Sequence, residues 1–108
     1  MKLSIIIPLY NEQDLVLKVL DELQSVNYPA FLEGYEIIVV DDCSKDQSYE
    51  RVNEYISKSP NRQFIKLFRH ELNSGKGAAV RTGAGKASGD VLLIQDSDLE
   101  LTPKDIPS

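Results

Sequence analysis

The stretch Leu92-Leu93-Ile94-Gln95-Asp96-Ser97-Asp98 largely decides how this chain folds. Its apolar run is typical of a buried strand, and the strand ends in two carboxylates one residue apart. Because side chains alternate along a strand, Asp96 and Asp98 point the same way if extended backbone continues through Ser97. Paired carboxylates at the carboxyl end of a parallel strand suit a hard divalent cation.

The rest of the sequence predicts three more buried strands, over residues 3–9, 36–40 and 63–68, with the fourth at 91–94. A helix with apolar residues at helical spacing follows Asn11, which we expect to cap it. A capping-box pattern at 44–47 predicts a second helix. The order βαβαβαβ with buried-type strands favours an α/β fold, with about four parallel strands and helices on both faces.

The third predicted helix lies in the glycine-rich segment 75–89. Its expected inner face holds small residues and one valine: Val80, Gly83, Ala84 and Ala87. Each glycine within such a helix weakens it by about 1 kcal/mol relative to alanine. A helix kept despite this cost indicates close approach to a sheet or a ligand.

Polar residues follow three of the predicted strands, at the edge where ligands bind in open parallel sheets. They are Pro8 to Glu12 after the first strand, Asp41 and Asp42 after the second, and Asp96 to Asp98 after the fourth. Each group alone has an ordinary explanation, such as a packed tyrosine or a solvated loop carboxylate. Their joint placement at three strand ends predicts a binding site.

Other segments gave weaker signals. Residues 73–77 are glycine-rich with a lysine before a helix, but they lack the spacing of a phosphate-binding loop. We expect His70, the only histidine, to be a solvated loop residue and Cys43 to be an inert thiol. The lone cysteine excludes an internal disulfide and favours the cytoplasm. The net charge of −5 disfavours nucleic-acid binding, and no apolar run is long enough to span a membrane.

Four ordered stretches together resemble the family 2 glycosyltransferases of the GT-A fold. The resemblance is closest to the dolichyl- and polyprenyl-phosphate glycosyltransferase branch. The stretches are Ser4-Ile5-Ile6-Ile7-Pro8-Leu9-Tyr10-Asn11-Glu12, Glu36-Ile37-Ile38-Val39-Val40-Asp41-Asp42-Cys43-Ser44, Asn73-Ser74-Gly75-Lys76-Gly77-Ala78-Ala79-Val80-Arg81-Thr82-Gly83 and Gln95-Asp96-Ser97-Asp98-Leu99-Glu100. The resemblance implies that residues 1–108 are the Rossmann-like, nucleotide-sugar-binding N-terminal half of an incomplete GT-A domain.

The resemblance also implies a role for each site residue. Asp98 would be the main ligand of Mg²⁺ or Mn²⁺ in the D-x-D motif, and Asp96 would face the ribose or the metal shell. Asp42 would accept a hydrogen bond from the nucleotide base. The remaining contacts would come from Pro8 and Tyr10 at the base, Glu12 in the nucleotide pocket and Lys76 at the phosphates.

The implied reaction is inverting transfer of a sugar from a UDP- or GDP-linked donor to an acceptor such as a polyprenyl phosphate. The implied full-length protein works in the cytoplasm, at the cytoplasmic face of the membrane. Its carboxylate base and acceptor site would lie beyond Ser108, so we expect the 108-residue chain to bind donor without transferring it. Cys43 stands where the family commonly has glycine, which puts the turn after Asp42 in question.

Two alternatives remain open from the sequence. A receiver-type signalling domain would use Asp41 and Asp42 as its acidic pair and Asp96 as its phosphoacceptor. A non-catalytic interaction remnant would associate with itself through the exposed edge of an unfinished sheet.

Overall fold

The computed structural model describes residues 1–25 and 33–96, which form four strands and three α-helices in strict alternation. The strands are β1 (Lys2–Leu9), β2 (Gly34–Asp41), β3 (Ile65–Arg69) and β4 (Val91–Ile94). The helices are α1 (Val16–Gln24), α2 (Ser48–Lys58) and α3 (Lys76–Lys86), with a short 3₁₀ turn at Arg62–Phe64. The predicted α/β class and element order are confirmed.

The four strands form one parallel sheet in the order β3-β2-β1-β4. The two central strands are in register from Lys2 opposite Gly34 to Leu9 opposite Asp41. Their carboxyl ends therefore meet at one edge. Pro8 lies beyond the last β1 residue paired with β4, which is Ile6 opposite Ile94, so its missing N–H breaks no bond on that side.

Both faces of the central strands are covered, as their unbroken apolar runs predict. Ile5 and Ile7 of β1, with Ile37 and Val39 of β2, pack in one cluster with residues of α1 and α2. The alternate β2 residues Ile38 and Val40 pack against Ala79 of α3 on the other face. Burying each large apolar side chain contributes about 1.5–3 kcal/mol, so the two-sided core holds the carboxyl edge in place.

The inner face of α3 differs from the predicted one. Ala79 and Gly83, one helical turn apart, are its buried residues, whereas Ala84 is exposed and Val80 is half-buried. The prediction was right about Gly83 and wrong about Ala84. The small residues at the contact let the helix lie close to the sheet.

The predicted starts of two helices were wrong by a few residues. Helix α1 begins at Val16, and Asn11 instead accepts a 2.8 Å hydrogen bond from the backbone N–H of Lys45. Helix α2 begins at Ser48, and Ser44, the first residue of the predicted capping box, instead accepts a 3.0 Å hydrogen bond from the backbone N–H of Asn11. The polar side chains expected to cap helices are used to join and shape the loops after β1 and β2.

Strand β4 is less buried than predicted, because it is an edge strand of the sheet in the part of the chain that the structure describes. Leu92 and Ile94 are 50% and 49% exposed. The alternate residues of the strand, Val91 and Leu93, pack against the core formed with α1 and α2. Asp98 and the helix start predicted at 102–105 lie outside the described residues. Within residues 1–25 and 33–96, no helix has the length and apolarity to cross a membrane.

Candidate functional site

A cleft of about 340 Å³ opens at the carboxyl edge of β1 and β2. Its lining comes from the loops after these strands, the start of α3 and the residues after β4. All six residues predicted to contact a nucleotide sugar line this one cleft: Pro8, Tyr10, Glu12, Asp42, Lys76 and Asp96. Leu9, Asn73, Gly75 and Ala79 are the other described residues that line it.

The loop after β1 is held against the loop after β2 by backbone hydrogen bonds to serine side chains. The N–H of Asn11 donates to Ser44 at 3.0 Å, and the N–H of Glu12 donates to Ser48 at 2.9 Å. Asn11 itself lies in the left-handed region, at a φ of 52°. These bonds fix the turn between Tyr10, which is 40% exposed, and the half-buried Glu12.

Asp42 is the buried carboxylate of the cleft, with 4% of its surface exposed. It accepts hydrogen bonds from His70 Nδ1 at 2.8 Å, from the N–H of Ser74 at 2.9 Å and from the N–H of Gly75 at 2.8 Å. Burial alone would raise the pKa of Asp42, but these three bonds and the electrostatic attraction of the neighbouring His70 ring hold that pKa below its ordinary value. Asp42 is therefore an ionised acceptor at neutral pH.

The expectation that His70 is solvated was wrong. The side chain is 16% exposed, and its second nitrogen, Nε2, lies 2.8 Å from the hydroxyl of Thr82 on α3. His70 thus joins the end of β3 to Asp42 and to α3. Its position directly after a strand, at the same edge as Asp42, was the signal in the sequence that could have placed it in the site.

The glycine-rich segment contributes to the site in a different way from a phosphate-binding loop. The N–H groups of Ser74 and Gly75 point at Asp42, and Gly75 makes the turn into α3 with a φ of 96°. Asn73 and Gly75 also line the cleft, and neither was among the predicted contact residues. The segment therefore binds the Asp42 carboxylate through two backbone N–H groups.

Lys76 and Asp96 form an ion pair across the cleft. Lys76 is the first residue of α3, and the Asp96 side chain is 24% exposed. A carboxylate oxygen is the type of donor that Mg²⁺ and Mn²⁺ prefer, so Asp96 fits the predicted metal site. No group of three candidate metal ligands occurs among the described residues, and the other predicted ligand, Asp98, is not among them.

The parallel sheet, the helices on both faces and the position of the cleft define a Rossmann-like GT-A fold. A mannosyltransferase from Pyrobaculum calidifontis, solved with GDP-Man and Mn²⁺, aligns with a TM-score of 0.79 and 29% identity. The alignment covers 89% of this chain and 27% of that one. S. aureus TarS 1-349, solved with UDP, aligns with a TM-score of 0.75 and 34% identity, over 91% of this chain and 28% of TarS.

The chain belongs to glycosyl transferase family 2, whose model matches residues 4–108. It is 40% identical, over 99% of its length, to a dolichol-phosphate mannosyltransferase of Pyrococcus furiosus. It is 37% identical, over 98% of its length, to an undecaprenyl-phosphate 4-deoxy-4-formamido-L-arabinose transferase of Yersinia enterocolitica. The chain spans only 28% and 32% of these two relatives.

Proposed function

We propose that this chain binds a nucleoside diphosphate sugar together with Mn²⁺ or Mg²⁺, as the donor-binding part of a glycosyltransferase. The observation that carries the proposal is the convergence of six predicted contact residues on one cleft. Family membership and similarity to proteins solved with GDP-Man and with UDP support it. Similarity to two transferases named for dolichol phosphate and undecaprenyl phosphate supports a polyprenyl phosphate as the acceptor.

The arrangement of the cleft suggests how the donor lies in it. The base lies against Pro8 and the exposed ring of Tyr10, where Asp42 accepts a hydrogen bond from it. The phosphates lie toward Lys76 at the start of α3, where the positive end of the helix favours anions. Glu12 orders the loop at the side of the nucleotide.

The charges in the cleft explain the need for a cation. Asp42 and Asp96 repel a diphosphate, and Lys76 already shares its charge with Asp96. Asp96 and Asp98 would hold the cation, which when bound supplies Lewis-acid stabilisation of the departing nucleoside diphosphate. The residues of this chain bind and orient the donor, and we propose that inverting transfer requires a base and an acceptor site from beyond Ser108.

Calorimetry with UDP- and GDP-sugars in the presence and absence of Mn²⁺ tests the proposal. We expect Mn²⁺-dependent binding by the wild type and at least about a tenfold loss in Asp98→Ala, because even the indirect partners of metal ligands have effects of this size. Asp14→Ala is the matched control, since the Asp14 side chain is 84% exposed on the surface. Identical binding by the wild type and Asp98→Ala would overturn the proposal.

Family membership counts against the receiver alternative, as does the chain order of the strands. Asp41 and Asp42 follow β2, whereas a receiver carries its acidic pair after its first strand. The interaction-remnant alternative is supported by the exposed Leu92 and Ile94 on the edge strand β4. Self-association through this edge stays a prediction that light scattering tests, and a strictly monomeric species would count against it.

The cytoplasmic location also stays a proposal, and it rests on the single free cysteine, Cys43. We place the full-length protein at the cytoplasmic face of a membrane, where a polyprenyl phosphate acceptor would be held. Fractionation of cells with protease protection of the membrane fraction tests this placement. Degradation of the protein by protease added to the outside of intact cells would contradict it.

A further inference from the structure

The hydrogen bonds of His70 define which of its nitrogens carries a proton. Asp42 is ionised and can only accept, so His70 Nδ1 must donate to it across the 2.8 Å contact. The Thr82 hydroxyl can donate to Nε2 or accept from it, and it therefore fits a neutral or a charged ring. The ring is thus held between β3 and α3 with its Nδ1–H aimed at the carboxylate.

The donors around Asp42 occupy most of the positions at which its carboxylate can accept a hydrogen bond. An ionised carboxylate offers about four acceptor positions, two on each oxygen. Oδ1 accepts from His70 and from Ser74, and Oδ2 accepts from Gly75. Among the contacts that the described residues make, one position on Oδ2 is left for a ligand.

This remaining capacity discriminates between nucleotide bases. Uracil offers a carboxylate one ring N–H, flanked by two carbonyl groups. Guanine offers a ring N–H beside an exocyclic amine, and the pair is matched by two carboxylate oxygens with a free position on each. A guanine amine that faces a filled Oδ1 loses its partner, and unpaired polar groups in a binding site are strongly selected against.

We propose that His70 is a positioning residue that fills Oδ1 of Asp42 and so favours a uridine over a guanosine diphosphate donor. The proposal rests on the proposed function, because it requires that Asp42 contacts the base. His70 itself touches no ligand. It acts by setting the direction and the number of hydrogen bonds that Asp42 can still accept.

Two variants of His70 separate this role from simple support of the fold. His70→Leu keeps an apolar side chain of similar size but donates nothing, which leaves Oδ1 with a free position. His70→Asn is the conservative control, because its amide nitrogen stands where Nδ1 stood and can donate to Asp42. Each is compared with the wild type by calorimetry against UDP, GDP and inorganic pyrophosphate, all with Mn²⁺, and by thermal unfolding.

We expect the wild type to bind UDP more tightly than GDP. In His70→Leu the ratio of the GDP Kd to the UDP Kd should fall by about tenfold, the effect of one hydrogen bond. In His70→Asn most of the wild-type ratio should be restored. Binding of pyrophosphate, which has no base, should be unchanged in both variants.

Four results would overturn the inference. The wild type could bind GDP as tightly as UDP or more tightly. His70→Leu could lower UDP, GDP and pyrophosphate binding in parallel with its melting temperature, which would show a structural role only. If the folded wild type binds pyrophosphate with Mn²⁺ but binds neither UDP nor GDP more tightly than pyrophosphate, Asp42 does not contact a base. If it binds none of the three, the proposed function itself fails, and this inference fails with it.

Discussion

The backbone of Gly83 lies so close to Ile6 that a Cβ atom at Gly83 would stand 2.5 Å from Cγ2 of Ile6 and 3.3 Å from its Cγ1. Ile6 is fully buried in the central strand β1, and its branched side chain has few alternative rotamers. Helix α3 can therefore lie this close to the sheet only because Gly83 has no side chain. Because α3 begins with Lys76 and carries Thr82, the same contact sets the position of one cleft residue and of the hydroxyl that bonds His70.

Gly83→Ala should destabilise the fold although alanine favours helices. Overpacking a core contact costs about 1–3 kcal/mol, and the helix preference of alanine returns about 1 kcal/mol. Gly85→Ala is the matched control in the same helix, because a Cβ there meets nothing within 4 Å. Denaturant unfolding should show a loss for Gly83→Ala and a gain of about 1 kcal/mol for Gly85→Ala. Equal gains in both would contradict this account of the packing.

Glu36 is a buried carboxylate on β2 that lies away from the cleft, with 2% of its surface exposed. One oxygen accepts from the Ser4 hydroxyl at 2.7 Å and from the backbone N–H of Ser88 at 2.7 Å. The other pairs with Lys66 at 3.1 Å. Burial alone raises the pKa of Glu36, but these bonds outweigh it and lower that pKa to about 2.

The stability of the chain should therefore fall in acid because of Glu36. Its pKa is lower in the folded than in the unfolded state, so the contribution is complete above pH 4.5 and is lost as the pH falls toward about 2. The loss should be about 3 kcal/mol. Glu36→Gln should be less stable than the wild type at pH 7, with the difference shrinking toward pH 2.

The control for Glu36 is Glu50→Gln, which removes an exposed carboxylate from the first turn of α2. Urea unfolding measured between pH 2 and pH 7 should give Glu50→Gln and wild-type curves that differ by less than about 1 kcal/mol, the most that an exposed carboxylate in the first turn of a helix contributes. A Glu36→Gln curve that runs parallel to the wild type would show that Glu36 does not contribute this pH dependence.

The fold was predictable because its signals are local. Unbroken apolar runs such as Ile5 to Ile7 and Ile37 to Val40 indicate strands buried on both faces, and such strands are parallel. The helix starts were less predictable, because Asn11 and Ser44 can cap a helix or bond a neighbouring loop. Whether such a side chain caps a helix or bonds a loop depends on where the loops after β1 and β2 lie in space.

The residues of the site were predictable, but the hydrogen bonds between them were not. Asp42 and Lys76 could be assigned from strand ends and from the family resemblance. The contact between His70 and Asp42 joins the ends of two strands 28 positions apart, so no local pattern contains it. Glu36 was missed for the same reason, because nothing in the sequence of β2 shows that Ser4, Lys66 and Ser88 surround it.

Cys43 should be replaceable by glycine with a gain in stability. Cys43 has a φ of 61°, in the left-handed region that costs a residue with a side chain about 1–2 kcal/mol. Glycine avoids that cost but loses more backbone entropy on folding, by about 0.5–1 kcal/mol. Cys43→Gly should therefore unfold at higher denaturant concentration, with a net gain of about 0.5–1 kcal/mol. Cys43→Ala, which keeps a Cβ, should show no such gain, and a similar rise in both would assign the effect to loss of the thiol.

Removing the charge of Lys76 should separate its effect on the phosphates from its effect on the cation. Lys76→Met keeps most of the side-chain length, and we expect it to weaken Mn²⁺-dependent binding of pyrophosphate and UDP by about tenfold at low salt, since charged hydrogen bonds contribute most. Mn²⁺ alone should bind at least as tightly as to the wild type, because Asp96 no longer pairs with a competing cation. Lys18→Met, on the exposed side of α1, is the matched control and should change neither titration. Weaker binding of Mn²⁺ alone in Lys76→Met would mean that the ion pair holds Asp96 in place for the metal, which would contradict the competition proposed between them.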